Sequence, residues 1–512
     1  MKNRSLSLPA LLPAVLLLFL TNQPAYCADG TWVANPVDNN WNNPANWSSG
    51  TVPSVFDTAT FATSAQKSVT VTDFSAVGAI SFNPGADAFT ITYQLPDYFS
   101  IEGIGITNLS AVIQSFILKA PTVEDNNAGV VIFYFGATAG SQTSFTCEAS
   151  PKNDGAIAGL EFQGGTAGAA TIHDLGANIA GGAGGRTDFY YDDGSAENST
   201  ITNDGGSVVG AGGAGTAFQL SRPTGGNATL IANGGTNGGD GGSFVFADGS
   251  LGGTARLEVF GNGFMDLSRH IGPSFTIGSI EGDGPIYLGK TAFMVGSNDL
   301  STTFSGVLHP GSPTGGGGAG SLTKIGTGTL TLSGANLYTA GTTVSAGTLV
   351  VSNTTGSATG TGAAQVNAGT LGGSGILSGA VTVGTGGGTG AFLAPAHGTQ
   401  KQTTLTIQSS LTLQADATYT YTFKAKGRKA RTDKVVANGV TINGANFAFQ
   451  GTAQGTLKQG LVLTAISNTA ATPISGTFAN LPDGATLTVN GNNFQASYEG
   501  GDGNDLTLTV VP

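Results

Sequence analysis

The residues of this chain whose types could do chemistry are few and scattered. Asp192-Asp193 is an adjacent acidic pair, and hydrolysis of a glycosidic bond uses two carboxylates at a defined separation. The histidines show no His-X-His or HExxH spacing for zinc, and neither Cys-X-X-Cys nor Gly-X-Ser-X-Gly occurs. We therefore predict no catalytic residues, no metal site and no cofactor. Asp192-Asp193 is interpreted as a solvated turn. The isolated histidines are His173, His270, His309 and His397.

Two further clusters carry charge or possible metal ligands. Six basic residues fall between Lys424 and Lys434. They could anchor the chain to an acidic wall polymer or mark a processing site, but we interpret them as a solvated loop between strands that end at Phe423 and begin near Val435. The segment 500–505, GGDGND, is similar to one calcium-binding nonapeptide. Such sites need stacked copies, so a hairpin turn is the favoured interpretation.

All three tryptophans, Trp32, Trp41 and Trp47, lie within residues 28–60. Clustered Trp rings suit a platform for stacking on sugars, which makes these three the candidate ligand-binding residues. The other interpretation is a cap over the first coil of a repeat structure, because an open solenoid end exposes unpaired strand edges. We favour the cap and keep sugar binding as the alternative.

The first 27 residues have the pattern of an export signal. Lys2 and Arg4 supply positive charge, residues 10–20 are the apolar stretch, and Cys27 precedes the expected cleavage point. No later segment has the pattern of a transmembrane helix. Cleavage leaves 17 basic against 31 acidic residues, a net charge of −14, which disfavours nucleic acid and anionic membranes as partners. Cys147 would then be unable to form an intramolecular disulfide.

The composition predicts short strands with glycine corners. Charged residues are 10% of the chain, far below the usual share of about 25%, while 83 residues are glycine and 39% are hydrophobic. The middle third also repeats, since Phe162, Phe189, Phe218 and Phe244 are spaced by 26 to 29 residues, and Phe135 lies 27 residues before Phe162. One coil of a β-solenoid requires such a period, so these rings are predicted to stack in a ladder. In contrast, Asn83-Pro84-Gly85 predicts a hairpin over residues 77–92.

Residues 321–352 are the most informative segment. Strands are predicted over 329–332 and 347–351, with chain reversals at Ser333-Gly334 and Ala340-Gly341. The segment also has a characteristic set of residues at Lys324, Gly326, Gly328, Thr329, Leu330, Thr331, Leu332, Ser333, Gly334, Asn336, Tyr338, Gly341, Thr342, Val344, Gly347, Thr348 and Leu349. In these positions it resembles the autotransporter-associated β-strand repeat of bacterial surface proteins, and it departs from that repeat at Leu337 and Ala340.

This resemblance implies a secreted, passenger-like protein of bacteria, and we expect it to lack the C-terminal translocator barrel of an autotransporter. The predicted fold is all-β, a right-handed parallel β-helix or β-solenoid with an N-terminal cap and C-terminal closing strands. The predicted divisions are a signal peptide 1–27, cap and first strands 28–130, solenoid 131–310, a Gly-rich junction 311–320, repeat coils 321–400, and closing coils with a cap 401–512.

The predicted function is that of a structural or adhesin-like protein without catalytic activity, either secreted to the extracellular space or held at the cell surface. The alternatives are a carbohydrate-binding surface protein and, less favoured, a β-helix enzyme acting on polysaccharide. Surface or extracellular polysaccharides and other surface proteins are the expected partners.

Overall fold

The computed structural model of the chain describes residues 28–94, 98–121, 129–151, 157–397 and 402–512. The predicted signal peptide lies outside these residues. Within them the chain forms 45 β-strands and one three-residue 3-10 helix, Pro44–Asn46. The all-β prediction is confirmed.

The strands follow from the alternation of the sequence. In Thr329–Leu332 the leucines are buried and the threonines half-exposed, and Thr200–Asn203 and Arg256–Val259 show the same pattern. Residues that alternate between faces in this way give each strand one face for the core. Four sheets result, and nearly all of their pairings are parallel.

The long sheet runs through the whole molecule and contains sixteen strands in successive parallel register, with one antiparallel strand, Lys429–Thr432, added near its C-terminal end. At about 4.8 Å per strand it is about 70 Å long. Its parallel strands are Ser68–Val71, Thr90–Tyr93, Gln114–Leu118, Ser141–Cys147, Ala169–Asp174, Thr200–Asn203, Thr229–Ala232, Arg256–Val259, Ser279–Gly282, Thr302–Phe304, Thr329–Leu332, Thr348–Val351, Gly369–Gly373, Ala391–Ala394, Ala417–Lys426 and Asn446–Gln454.

The N-terminal sheet forms a second face of the first half of the molecule. Its strands are Gly30–Thr31, Thr58–Phe61, Ser75–Phe82, Tyr98–Asn108, Gly129–Tyr134, Ala158–Gln163, Arg186–Tyr190, Gly215–Gln219, Ser243–Phe246, Phe264–Asp266, Ile286–Tyr287 and Leu308–His309.

Two shorter sheets replace it in the second half. The middle sheet contains Ser274–Ile277, Ala292–Val295, Ser321–Lys324, Thr342–Val344, Ala364–Val366, Val381–Val383, Leu411–Leu413, Val440–Asn443 and Ser475–Thr477. The C-terminal sheet contains Ile376–Leu377, Thr404–Ile407, Lys434–Ala437, Val462–Asn468, Thr486–Val489, Asn492–Gly500 and Asp505–Val511, and its last three strands pair antiparallel.

These sheets wind around one continuous hydrophobic core, which confirms the predicted parallel β-solenoid. Phenylalanines of successive coils stack in the core, with ring centroids 4.7 Å apart for Phe162–Phe189 and for Phe189–Phe218. The ends of the predicted ladder are wrong by two residues. Phe133 and Phe246 continue the stack, whereas Phe135 is exposed and Phe244 is buried beside it.

The predicted hairpin over residues 77–92 is also wrong. Ser75–Phe82 pairs parallel with strands of the N-terminal sheet, and Thr90–Tyr93 pairs parallel with strands of the long sheet. The Asn83-Pro84-Gly85 turn is therefore a corner that carries the chain from one sheet to the next. In a solenoid, strands that are consecutive in sequence belong to different sheets, and each pairs with its counterpart one coil away.

Glycine-rich turns cover part of the solenoid between residues 176 and 242. Their backbones lie in direct contact from one coil to the next. A Cβ added at Gly213 would lie 2.0 Å from the Gly241 carbonyl oxygen, and one at Gly176 would lie 2.1 Å from that of Gly205. Only glycine allows this close approach, which explains the glycine content of the repeats.

Candidate functional site: the outer face and corner of the N-terminal sheet

The three tryptophans of the predicted ligand-binding set are 0 to 2% exposed. Their rings pack edge to face, with centroids 5.3 Å apart for Trp32–Trp47 and 4.8 Å for Trp41–Trp47. Phe61 lies against all three. Buried rings present no stacking face to solvent, so this geometry argues against sugar binding through them in the folded cap.

The segment around these rings covers the first coil. The Trp41 amide donates to the Thr70 carbonyl at 2.9 Å, and the Thr70 amide donates to the Asn39 carbonyl at 2.8 Å. Thr70 lies on Ser68–Val71, the first strand of the long sheet. Backbone groups that an open edge would leave unpaired are thus satisfied, as a cap requires.

The other predicted positions are surface turns or local pairs. Asp192 and Asp193 are both exposed, and an Asp192 carboxylate oxygen accepts from the Arg222 amide at 3.1 Å. His173 contacts Asp204 at 2.6 Å. The described residues hold no group of three or more His, Cys, Asp or Glu side chains that could bind a metal ion.

The basic cluster is a hairpin rather than the loop we predicted. Lys429–Thr432 turns back and pairs antiparallel with the end of Ala417–Lys426. The hairpin lines a cavity of about 720 Å³ together with Leu461 and Val462. The segment 500–505 is the turn between Asn492–Gly500 and Asp505–Val511, as the hairpin interpretation predicted.

One polar cluster on the outer face of the N-terminal sheet was not predicted from the sequence. Glu161 and Asp188 are register partners on adjacent strands, and both side chains point away from the core because their neighbours Phe162 and Phe189 point into it. Arg186 Nε donates to Asp188 Oδ2 at 2.6 Å. The other oxygen of Asp188 is buried without a hydrogen-bond partner.

Burial shifts the pKa values of both carboxyl groups in this cluster. Burial raises the pKa of the Asp188 carboxyl above its ordinary value, and the Arg186 guanidinium opposes the rise. Burial also raises the pKa of Glu161, against a hydrogen bond from Gln163. A shallow cavity of about 590 Å³ lies beside the cluster, lined by Arg186, Arg269 and the glycine-rich turns 181–185 and 210–215. Glu161 and Asp188 directly precede Phe162 and Phe189. The 27-residue period of these phenylalanines could therefore have predicted that the two carboxylates are neighbours.

The corner next to this face carries exposed apolar side chains. Phe135, Tyr191 and Leu220 each follow a strand of the N-terminal sheet directly, and they are 59%, 40% and 52% exposed. We call these three residues the apolar corner. The rings of Phe135 and Tyr191 stack with centroids 5.9 Å apart.

The predicted repeat spans two successive coils of the solenoid, with two neighbouring strands in the middle sheet and two in the long sheet. Its characteristic residues satisfy buried groups. Asn336 accepts from the Leu308 amide at 2.8 Å and donates to the Ala358 carbonyl at 2.6 Å, which connects three coils. The Tyr338 hydroxyl hydrogen-bonds the Thr342 hydroxyl at 2.6 Å. Burial lowers the pKa of Lys324, whose amine donates to the Gly326 carbonyl at 3.0 Å.

Comparison with known families identifies the same segment as a repeat. Residues 322–351 match the passenger-associated-transport-repeat, so this segment is similar to the repeats of autotransporter passengers, as its resemblance implied. No curated protein matches the sequence.

Among solved structures, the crystal structure of the Haemophilus influenzae Hap adhesin is similar at 12% sequence identity and a TM-score of 0.33. The match covers 89% of this chain and 59% of that one, so this chain spans less than two thirds of the adhesin's length. No helix among the described residues is long and apolar enough to cross a membrane.

Proposed function

We propose that this chain is a secreted or surface-displayed structural protein, adhesin-like and without catalytic activity. The observation that carries the proposal is the passenger-associated repeat at 322–351, built without interruption into a long solenoid. Its strands pair in register with those of the coils on both sides. The repeat is therefore part of the rod itself, and a stiff rod suits presentation of side chains outside a cell.

The carboxylates support a non-catalytic role. Glycoside hydrolysis needs a proton donor and a second carboxylate on either side of a substrate. Asp192 and Asp193 lie side by side on an exposed turn. Glu161 and Asp188 lie side by side on adjacent strands of one face, and Asp188 is already paired with Arg186. Within each pair the two carboxylates are thus neighbours rather than groups on opposite sides of a sugar, as hydrolysis requires.

The test of display uses the full chain in its producing cell, with an epitope tag after Pro512. Protease added to intact cells should remove the tag signal, while a cytoplasmic marker remains. A matched variant lacking residues 1–27 should keep its tag, because it stays inside. Equal protection of the full chain and of this variant would contradict surface display.

The test of catalysis uses purified protein with polygalacturonate, alginate and neutral glucans. We expect no release of reducing ends or unsaturated uronates. Release that disappears in Asp192→Asn or in Asp188→Asn would overturn the non-catalytic assignment and would identify the carboxylate responsible.

A further inference from the structure

One corner of the solenoid has the same backbone conformation in four successive coils but very different residues. Gly164, Tyr191, Leu220 and Asp248 occupy equivalent positions after aligned strands of the N-terminal sheet. Their φ angles are 73°, 68°, 58° and 52°. All four are thus in the left-handed region.

Glycine adopts this conformation freely and aspartate tolerates it, but for a bulky side chain it is strained. Tyr191 and Leu220 therefore occupy positions for which the neighbouring coils use better-suited residues. Both side chains are exposed, so burial in the core does not offset the strain. An exposed apolar side chain held on strained backbone points to a function outside the fold.

Phe135 extends the same surface. Its ring lies over Gly164, where an added Cβ would come within 2.1 Å of the ring, and it reaches the ring of Tyr191 two coils away. Because residue 164 is glycine, the Phe135 ring has room to lie across this coil and stack with the Tyr191 ring. The result is a narrow row of apolar side chains that follows the axis of the solenoid.

The flanks of this row are acidic. Asp192 and Asp193 follow Tyr191 directly and are exposed. On the other side lie Glu161 and Asp188, with Arg186 as the cation paired to Asp188. Arg222, two residues after Leu220, adds an exposed cation. The carboxylates still outnumber the guanidinium groups, which disfavours a polyanion and favours a ligand with positive groups.

We propose that the apolar corner and its acidic flanks bind a saccharide chain that carries free amino groups. Sugar rings stack their C–H faces on exposed aromatic rings, and ammonium groups are attracted both by ring faces and by carboxylates. A linear chain fits a row one side chain wide. A protein partner would need a broader apolar core than this row offers.

This proposal adds a ligand class to the proposed surface function. It rests on that function only in placing the ligand outside the cell. Binding is measured with purified protein, so loss of binding and loss of surface display are separate results. The probe is a glucosamine hexamer, titrated calorimetrically at low salt. The comparison probes are the N-acetylglucosamine hexamer, which keeps the sugar rings without the charge, and polygalacturonate.

We expect the glucosamine hexamer to bind at least tenfold more tightly than the acetylated hexamer, and polygalacturonate not to bind. Tyr191→Gly should weaken binding at least tenfold while leaving the thermal midpoint unchanged or raised, because glycine removes the ring and relieves the backbone. The double variant Asp192→Asn/Asp193→Asn should also weaken binding while the protein stays folded. The matched control is Phe392→Ala, which removes a partly exposed ring on the long sheet and should leave binding unchanged.

Three results would overturn the site. One is absence of binding to the glucosamine hexamer, and another is binding that Tyr191→Gly does not change. The third is equal binding of a lysine hexapeptide, which would assign the surface to cationic peptides rather than to a saccharide.

Discussion

We expect Asp174 to make the stability of the solenoid depend on pH. It ends strand Ala169–Asp174 and lies in the core, in register with Cys147 on one side and Asn203 on the other. One carboxylate oxygen accepts from the Thr187 hydroxyl at 3.1 Å, and the other has no partner. Burial raises the pKa of the carboxyl from 3.8 to about 7, although the hydrogen bond from Thr187 opposes the rise.

The sign and size of the effect follow from this pKa. Because the folded state holds the proton more tightly than the unfolded chain does, the free energy of unfolding falls as pH rises from about 4 to about 7. A difference of roughly 3 pH units corresponds to about 4 kcal/mol, an upper bound. This loss of stability is complete above about pH 7, where Asp174 is ionised in both the folded and the unfolded protein.

Asp174→Asn should remove this loss. Asn203 shows that the site accepts an amide, since in the next coil its Nδ2 donates to the Thr216 hydroxyl at 3.1 Å and to the Ser243 carbonyl at 2.6 Å. We expect the variant to be more stable than the wild type by up to about 4 kcal/mol at pH 8 and by much less at pH 4.

The assay is urea denaturation of the mature protein from pH 4 to pH 8, and the difference between variant and wild type is compared at each pH. Taking the difference cancels the titration of other groups. Asp192→Asn, on an exposed turn, is the matched control and should follow the wild type. Parallel profiles for Asp174→Asn and the wild type would refute the reasoning.

Three further predictions concern the repeat and the cap. Asn336→Ala should lower the free energy of unfolding by about 2–4 kcal/mol, because it orphans the Leu308 amide and the Ala358 carbonyl. Leu337→Ala, at a half-exposed neighbour, should change it by less than about 0.5 kcal/mol, and equal denaturation midpoints for the two variants would contradict this. Trp41→Ala should cost about 3–5 kcal/mol by the same assay, and removal of residues 28–100 should cause aggregation visible in light scattering, because the first strand edge becomes open. A monomeric truncation with unchanged melting would show that these residues are not a cap.

The sequence predicted the local repeat well because its signals are local. Thr329–Leu332 alternates cleanly, and Gly369-Thr370-Leu371 pairs in register with the coil of Gly347-Thr348-Leu349, as its recurrence suggested. The register of the phenylalanines was predicted wrongly at both ends of the ladder. Residues two apart in a strand share a face, so periodicity cannot separate Phe133 from Phe135. Phe135 points outward because the strand ends before it, which only the corner geometry reveals.

The candidate site depends on contacts between coils. Glu161 and Asp188 are 27 residues apart in sequence and become neighbours through parallel pairing. The left-handed conformation of Tyr191 and Leu220 follows from their alignment with Gly164, a relation that no single coil shows. For the three tryptophans the sequence left a cap and a sugar-stacking platform open, with the cap favoured, and only the structure shows that all three rings are buried.

The continuous solenoid is the claim on which the proposed function depends, and small-angle X-ray scattering of the mature protein tests it most directly. The long sheet alone is about 70 Å long. We therefore predict a maximum dimension of at least about 80 Å, with a distance distribution skewed as for a rod. A symmetric distribution ending near roughly 60 Å, as expected for a globule of this size, would contradict the account.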